Sequence, residues 1–278
     1  MSRIAQRFAD LRREGRAAFI PFITAGDPDP ETSFAVLERL PSAGADVIEL
    51  GVPFSDPMAD GPAIQASSLR ALNGGMTLPK VLGLVRRFRE SDKSTPIILM
   101  GYFNPIHAYG TARFAADAAA TGVDGLITVD LPPEEDAVLR EPAIAHGLDV
   151  IRLATPTTDD SRLAAVLDGA SGFLYYVSVA GVTGTRAFTE ADVRRAIARL
   201  KAHSHIPCVV GFGIKSAEQA RAIVEFADGA VVGSAIVNRI AEVWQGEKPG
   251  PDRIRNIIDF CKTLADSVHA ARPAAMVE

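Results

Sequence analysis

The chain has 278 residues and a formal net charge of −5, from 29 basic and 34 acidic side chains. Hydrophobic residues make up 47% of the sequence and charged residues 23%, the usual balance of a globular protein. This charge argues against the basic surface of a nucleic-acid-binding protein. No apolar run approaches the ~20 residues that span a bilayer, so a membrane partner is not expected either.

The first fifteen residues, MSRIAQRFADLRREG, have the pattern of a polar amphipathic helix and lack the features of a signal peptide. The sequence has two cysteines, Cys208 and Cys261, too few for a disulfide framework. We expect both to be reduced packing residues, which is consistent with a cytoplasmic protein.

Short apolar runs alternate with amphipathic segments along the chain. Eight of these runs predict strands: Phe19–Thr24, Val47–Leu50, Ile97–Met100, Gly125–Val129, Val150–Leu153, Phe173–Val177, Cys208–Gly211 and Ala230–Val232. They show little polar alternation, as expected when both faces of a strand are buried. Eight strands, each followed by a helix, predict an α/β fold of the (β/α)8 TIM-barrel type. A doubly wound sheet is the alternative, but it usually has fewer strands and a switch point.

The helical segments between the strands are predicted from their amphipathic pattern. They are Glu31–Leu40, Thr77–Arg89, Arg113–Ala120, Glu134–Ala145, Asp160–Leu167, Glu190–Leu200 and Ser216–Phe226. Extra helices are expected to flank the barrel at Ile4–Arg13 and Asp252–Ser267. Since no low-complexity linker interrupts the pattern, residues 1–268 are predicted to form one domain, and residues 269–278 a disordered tail.

Three acids lie in or just after the second predicted strand, in the segment IELGVPFSDPMADG. Glu49 is inside an apolar strand, where an acid is costly unless it is paired or used. It also lies near the carboxyl end of the strand, where barrels assemble active sites. Glu49 and Asp60 together suggest paired carboxylates for acid–base chemistry. A structural ion pair remains an alternative for Glu49, a cap or turn for Asp60, and an Asx-turn for Asp56.

Three glycine-containing turns follow the last three predicted strands, at Gly181–Gly184, Gly211–Gly213 and Gly233–Ile236. Barrels commonly bind phosphate with the loops after strands seven and eight and a helix N-terminus. Glycine lets backbone N–H groups approach an anion, and Ser234 can add a hydroxyl donor. The turns therefore predict a phosphate site.

Tyr175 and Tyr176 are consecutive in the sixth predicted strand and must point to opposite faces, so one is expected to face the barrel interior. Several apolar residues near strand ends form a candidate aromatic-sized pocket or simply cap the core: Phe22, Met100, Tyr102, Val129, Leu153 and Phe212. The five histidines are scattered, and the pair His203 and His205 is expected to be solvated surface. No metal site is predicted, and the residues describe a cofactor-free acid–base site for a phosphorylated, partly aromatic small molecule.

With these residues in view, the sequence resembles the tryptophan synthase alpha chain family. The resemblance rests on IELGVPFSDPMADGPAIQ, on FIPFITAGDP before it, and on GVTG, GFGI and GSAIV after it. It runs from about residue 3 to residue 265 without large gaps.

The resemblance implies retro-aldol cleavage of indole-3-glycerol phosphate to indole and glyceraldehyde 3-phosphate. Glu49 would be the general acid/base, Asp60 would accept a hydrogen bond from the indole N–H, and Tyr175 would support the site. The implied phosphate-binding residues are Gly184, Gly213, Gly233 and Ser234. The implied indole pocket is formed by Phe22, Met100 and Phe212.

The resemblance also implies an alpha2-beta2 tetramer with a tryptophan synthase beta chain, which would receive the indole and carry pyridoxal phosphate, a cofactor not expected in this chain. Pro53, Asp56 and Asn104 match surfaces that face the partner. Thr183 matches the loop that closes over the substrate. Some relatives carry a basic residue two places before the GVTG glycine, whereas this chain has Val179 and Ala180 there. The resemblance therefore does not identify the contacts that hold this loop in its closed position.

Two other readings share these residues. A stand-alone indole-glycerol phosphate lyase would use the same catalytic groups and need no partner. A binding module would mainly activate its partner, but clustered acids and phosphate turns argue against this reading.

Overall fold

The computed structural model describes residues 1–178, 189–211, 213–244 and 251–271. Its nine strands are β1 (Ala18–Thr24), β2 (Ile48–Gly51), β3 (Ile97–Gly101), β4 (Gly125–Thr128), β5 (Asp149–Val150), β6 (Arg152–Ala154), β7 (Leu174–Val177), β8 (Cys208–Gly211) and β9 (Gly229–Val232). Within the described ranges, no helix is long and apolar enough to cross a membrane.

Twelve α-helices and one short 3-10 helix, Pro41–Ala43, accompany these strands in the described ranges. The helices are α1 (Arg3–Glu14), α2 (Pro30–Leu37), α3 (Pro62–Asn73), α4 (Leu78–Ser91), α5 (Phe103–Tyr109), α6 (Thr111–Thr121), α7 (Ala137–Ala145), α8 (Asp160–Leu167), α9 (Glu190–His203), α10 (Ala217–Val224), α11 (Ser234–Val243) and α12 (Pro251–His269). Helices α3, α5 and α11 are absent from the amphipathic segments predicted above, although the turn at Gly233–Ile236 was expected to open a helix. Helix α5 has only seven residues, and α3 has five polar side chains in its twelve residues, PAIQASSLRALN.

All strand pairs are parallel, and the order is β5-β4-β3-β2-β1-β9-β8-β7-β6. The two ends of this order, β5 and β6, are separated only by Ile151. The fifth predicted strand is therefore one extended run that pairs with β4 through Val150 and with β7 from Arg152 onward. The arrangement is a nearly closed barrel and confirms the predicted (β/α)8 TIM barrel with extra helices.

Side chains alternate between the barrel interior and the layer under the helices. On β1, Ile20 and Phe22 belong to the interior cluster, whereas Phe19 and Ile23 pack against the helices. Helix α1 inserts Ile4, Phe8 and Leu11 into the same interior cluster. Its Ser2 cap and Arg3 bind acids at the starts of β4 and β5. Since α1 covers the amino ends of the strands, the carboxyl ends remain for a site.

Helix α12 packs on the outside of the barrel and extends to His269. The His269 imidazole lies 2.8 Å from the buried Asp46 carboxylate, and Ala271 is buried. Of the residues predicted to form a tail, His269 is thus the last residue of α12, and Ala271 is buried just after it. Residues 272–278 lie outside the described ranges.

Candidate active site

Strand β2 places Glu49 in the barrel interior. Its Cα is in register with Phe22 of β1 and Ile98 of β3, two residues of the interior cluster, so the three side chains share one layer. Glu49 is only 1% exposed, and its Oε2 atom has no hydrogen-bond partner within the described ranges. A carboxyl in this position favours its neutral form unless a ligand or water binds it.

Asp60 is brought back toward Glu49 by the loop of residues 52–60. Within this loop the Asp60 N–H donates to the Pro57 carbonyl at 3.0 Å, and the Gln65 side chain donates to the Asp60 carbonyl at 2.8 Å. Gly61 then precedes α3, which begins at Pro62, a residue suited to the first position of a helix. The loop therefore ends with Asp60 facing the pocket.

Helix α3 is fixed to the end of β1 by two polar contacts. Arg70 donates from Nε and Nη2 to the two carboxylate oxygens of buried Asp27, at 2.6 and 2.9 Å. The Ser67 and Thr24 hydroxyls lie 2.6 Å apart. These contacts hold the start of α3, and with it Asp60, at the carboxyl ends of the strands.

A pocket opens at this end of the barrel. It brings together eight of the residues predicted from the sequence: Phe22, Glu49, Asp60, Met100, Tyr175, Gly213, Gly233 and Ser234. The lining is apolar apart from the two acids, the tyrosine and the Ser234 end. The sequence-based prediction thus selected residues that are distant in the chain but share one cavity.

The two acids of the pocket have different ionisation. Burial, together with the negative charge of Asp60, raises the pKa of Glu49 to about 8. Burial raises the pKa of Asp60 to about 6, and hydrogen bonding to the Tyr102 hydroxyl opposes this rise. Near pH 7 the site therefore holds one protonated and one ionised carboxyl, the pairing that acid–base catalysts use.

Of the two consecutive tyrosines, Tyr175 faces the pocket and Tyr176 packs in the outer layer. Burial, then the charges of Glu49 and Asp60, raise the pKa of Tyr175 well above its ordinary value. Its hydroxyl therefore stays protonated. A β-carbon on Gly211 would lie 2.0 Å from that hydroxyl oxygen, so the tyrosine needs glycine there.

Gly213, Gly233 and Ser234 contribute backbone and one hydroxyl to the pocket lining, beside Ile214 and Val231. Gly213 has a φ of +86°, a conformation that favours glycine. Gly233 lies between β9 and α11, and Ser234 is the first residue of α11. The amino end of a ten-residue helix thus meets the pocket, with the unpaired N–H groups and positive dipole end that suit an anion. Phe212, Thr183, Gly184 and Val179, named above for the pocket, the phosphate and the loop, lie outside the described ranges.

The three residues predicted to face a partner differ in exposure. Asp56 is exposed in the loop of residues 52–60 and Asn104 is exposed on α5, whereas Pro53 is buried within the chain. Met58 in the same loop is 76% exposed, which is unusual for a large apolar side chain. Asp56 and Met58 therefore offer surface, and Pro53 contributes mainly to loop packing.

Sequence reasoning missed three pocket residues: Ile64, Ile214 and Val231. Val231 had a usable signal, because it lies two residues before Gly233 and alternation places both on the same side of β9. Ile64 lies on α3, which was not predicted.

Among the residues the structure describes, no three His, Cys, Asp or Glu side chains are grouped as metal ligands. His203 and His205 are exposed.

The sequence model of the family described as "Tryptophan synthase alpha chain" matches residues 8–269. Two tryptophan synthase alpha chain structures from Legionella pneumophila are similar to this chain. One is 40% identical with a TM-score of 0.88, covering 96% of this chain and 97% of its own. The other, from strain Paris, is 41% identical with a TM-score of 0.89, covering 96% and 98%.

A structure of tryptophan synthase from Mycobacterium tuberculosis is 36% identical, with a TM-score of 0.87, and the match covers 98% of this chain and all of that one. The match to the family model and these neighbours extend over nearly the whole sequence, well beyond the pocket. The chain belongs to the tryptophan synthase alpha chain family.

Proposed function

We propose that this chain cleaves indole-3-glycerol phosphate to indole and glyceraldehyde 3-phosphate, the reaction of its family, as a carbon–carbon lyase. The observation that carries this proposal is the pairing of buried Glu49 with Asp60 in one pocket whose far end is formed by Gly213, Gly233 and the start of α11. The pocket thus has an acid–base end and an anion end, as the substrate requires.

Glu49 is the proton donor and acceptor in this proposal. Because its pKa is raised to about 8, its carboxyl carries a proton near neutral pH and can give it to C3 of the indole ring. The carbon–carbon bond to the glycerol chain then breaks, and its electron pair restores the aromatic ring. The glycerol hydroxyl loses its proton to the Glu49 carboxylate and becomes the aldehyde, so Glu49 ends the cycle protonated.

Asp60 has an electrostatic role. Protonation of C3 places positive charge on the ring and its N–H, and an ionised Asp60 would accept a hydrogen bond from that N–H. Its pKa of about 6 leaves it ionised at neutral pH. Tyr175 supports the arrangement as a neutral hydroxyl between the two acids and the β8 backbone at Gly211.

The remaining pocket residues are assigned to binding. Phe22 and Met100 would contact the indole ring, together with Phe212. Gly213, Gly233, Ser234 and Gly184 would bind the phosphate through backbone N–H groups and the Ser234 hydroxyl. Closure of the loop that contains Thr183 over the bound substrate is part of the same proposal.

We further propose an alpha2-beta2 tetramer with a tryptophan synthase beta chain that receives the indole. Exposed Asp56 and Asn104 are the proposed contacts, with buried Pro53 shaping the loop. The cleavage needs only proton transfers, so the proposal assigns pyridoxal phosphate to the partner alone. Both cysteines are free and buried, which fits a location in the reducing cytoplasm.

The test is indole release from indole-3-glycerol phosphate by the purified chain, with and without a beta chain. Slow release alone and a large increase with the partner would support the proposal. Fast release without a partner would favour a stand-alone lyase, and no release in either case would overturn the assignment.

Glu49→Gln is the matched variant for this assay. The amide keeps the shape of the side chain but cannot transfer the proton, so cleavage should fall by at least roughly 100-fold while a non-cleavable indole-alkyl phosphate still binds. Near-normal turnover would contradict the acid–base role. Unchanged activation of the beta chain together with no cleavage in either protein would favour the binding module.

A further inference from the structure

Tyr102 lies between the barrel wall and the loop of residues 52–60. It follows β3 directly and is only 4% exposed. Its ring centroid is 5.2 Å from that of Phe54, at an interplanar angle of 31°. Its hydroxyl oxygen accepts a hydrogen bond from the Ala59 N–H at 3.0 Å. The side chain therefore contacts the loop at two points, one apolar and one polar.

The Tyr102 side chain and Asp60 also line one small pocket beside β3. Because the Ala59 N–H donates to its oxygen, the hydroxyl proton is free to be donated to a carboxylate. Hydrogen bonding to Tyr102 lowers the pKa of Asp60, against the larger effect of burial. The reciprocal effect also holds, since burial and then the charge of Asp60 raise the pKa of Tyr102. One hydroxyl thus joins a loop amide and the adjacent acid.

The backbone on either side of Tyr102 is held by hydrogen bonds to β4 and the residues after it. The next residue, Phe103, donates its N–H to the Asp130 carboxylate at 2.8 Å, which ties the start of α5 to the residue that follows β4 by two positions. Gly101 is paired with Thr128 in the β3–β4 ladder. Tyr102 therefore extends from a paired strand end, whereas Asp60 lies on a loop.

We propose that Tyr102 is a positioning residue for the cleavage reaction: its hydroxyl bridges the Ala59 N–H and the Asp60 carboxyl, and so holds that carboxyl at the pocket in its reactive form. The inference rests on the proposed function, in which Asp60 acts on the indole N–H. Tyr102 acts through Asp60, so its removal should change the pH dependence of catalysis in a way that loss of packing alone would not.

The titratable groups near Asp60 determine which residue each limb of the pH–rate profile can be assigned to. Within the described ranges, Asp60 raises the pKa of Glu49 on β2 and of Tyr175 on β7, and Asp130 after β4 raises the pKa of Tyr102. Tyr175 stays protonated in the accessible range, and Glu49 titrates near the alkaline end. A change confined to the acid limb of the rate profile is therefore assigned to Asp60.

The experiment compares Tyr102→Phe with Tyr109→Phe across pH 5 to 9, using the full chain with a beta chain present. Tyr109 is a matched control, because its hydroxyl also donates to an aspartate, Asp117, at 2.6 Å, but on a helix surface away from the pocket. Loss of the Tyr102 hydroxyl removes a stabilising partner of ionised Asp60. The acid limb of kcat/KM should move to higher pH, so that activity at pH 5.5 falls roughly three- to tenfold more than activity at pH 7.5.

Tyr109→Phe should follow the wild-type profile. A second comparison adds Tyr102→Phe to Asp60→Asn, and the added change should have little effect because the group through which Tyr102 acts is already altered. Circular dichroism and thermal unfolding check that each variant is folded, which is expected since the ring remains.

An acid limb at the wild-type position would overturn the inference, as would an equal loss of activity at every pH. Full additivity of Tyr102→Phe and Asp60→Asn would also overturn it. If the wild-type chain released no indole at all, the proposed function would fail instead, and the two failures are therefore distinguishable.

Discussion

Asp60 and Glu49 occupy one pocket and ionise in different ranges. Burial and the charge of Asp60 raise the pKa of Glu49 to about 8, whereas the pKa of Asp60 is raised only to about 6. The difference arises because Glu49 is 1% exposed inside the barrel, while Asp60 lies at its mouth with the Tyr102 hydroxyl as a partner. Different burial therefore leaves Glu49 neutral and Asp60 negatively charged near pH 7, although the two side chains are chemically similar.

The first prediction concerns the pH profile of cleavage. If Asp60 must be ionised and Glu49 protonated, kcat/KM should be bell-shaped, with an acid limb near pH 6 and an alkaline limb near pH 8. The two limbs belong to the coupled pair of acids. Initial rates of indole release from pH 5 to 9 measure both. A plateau that continued to pH 9 would contradict the role of protonated Glu49.

The second prediction concerns stability and Glu49→Gln. The folded-state pKa of about 8 exceeds the ordinary value of 4.5, so the folded protein retains a proton that the unfolded chain releases. The contribution of protonated Glu49 to the free energy of unfolding is fully present below pH 4.5. It is lost as pH rises to about 8, by at most ~1.4 kcal/mol per pH unit. Glutamine cannot ionise. The variant should therefore have nearly the stability of the wild type at pH 4 and be the more stable protein at pH 8.5.

Urea unfolding at these two pH values measures the difference. The comparison at pH 4 serves as the control, since residue 49 is then largely uncharged in the folded and the unfolded states of both proteins. If the variant were instead less stable at pH 8.5, the Glu49 carboxylate would have a stabilising partner in the native state, and its proposed proton-donor role near neutral pH would be wrong.

Much of this site follows from the sequence, because its parts have local signals. An acid inside an apolar strand marked Glu49, and glycines after the last strands marked Gly213 and Gly233. Parallel barrels bring strand ends together whatever the sequence distance, so residues far apart along the chain could be assigned to one pocket. Assigning residues to the pocket requires the end of each strand to be placed within about one residue. The continuous apolar runs of this sequence place the strand ends that well.

Other features depend on contacts that no local pattern encodes. The bridge from Tyr102 to Ala59 spans 43 positions, and neither residue is unusual in its own segment. The fifth predicted strand is divided at Ile151 into β5 and β6, because the chain changes its pairing partner there from β4 to β7. His269 was assigned to a tail because its partner, Asp46, is 223 positions away.

The third prediction tests the anion end of the pocket with Gly213→Val. Valine at a φ of +86° is strained and blocks close approach of the backbone to a phosphate. Gly147→Val is the matched control, because Gly147 has a φ of +74°, is also exposed and has no atom within 4 Å of its β-carbon position. Both variants should lose stability, but only Gly213→Val should bind glycerol phosphate roughly tenfold more weakly.

Isothermal titration calorimetry with glycerol phosphate and, separately, with indole makes the comparison. Indole affinity should change little in either variant. Equal phosphate affinity in the two variants would remove Gly213 from the phosphate site.

The fourth prediction concerns Asp46, a buried acid at the amino-end face of the barrel. Its carboxylate accepts hydrogen bonds from Arg16 at 2.9 and 3.0 Å and from the Phe19 N–H at 2.9 Å, and lies 2.8 Å from His269. It thus joins the start of β1 to the end of α12. Asp46→Asn removes the charge and leaves Arg16 without its buried partner, which should cost about 2–3 kcal/mol, since the Arg16 and His269 side chains keep some exposure.

Asp266→Asn is the control for this prediction. The Asp266 carboxylate pairs with Lys262 at 2.9 Å on the exposed face of the same helix α12, and a surface pair of this kind contributes about 0.5 kcal/mol or less. Urea unfolding measures both variants at the same pH. If Asp46→Asn destabilised the chain no more than Asp266→Asn, the contacts of Asp46 would not hold α12 to the barrel.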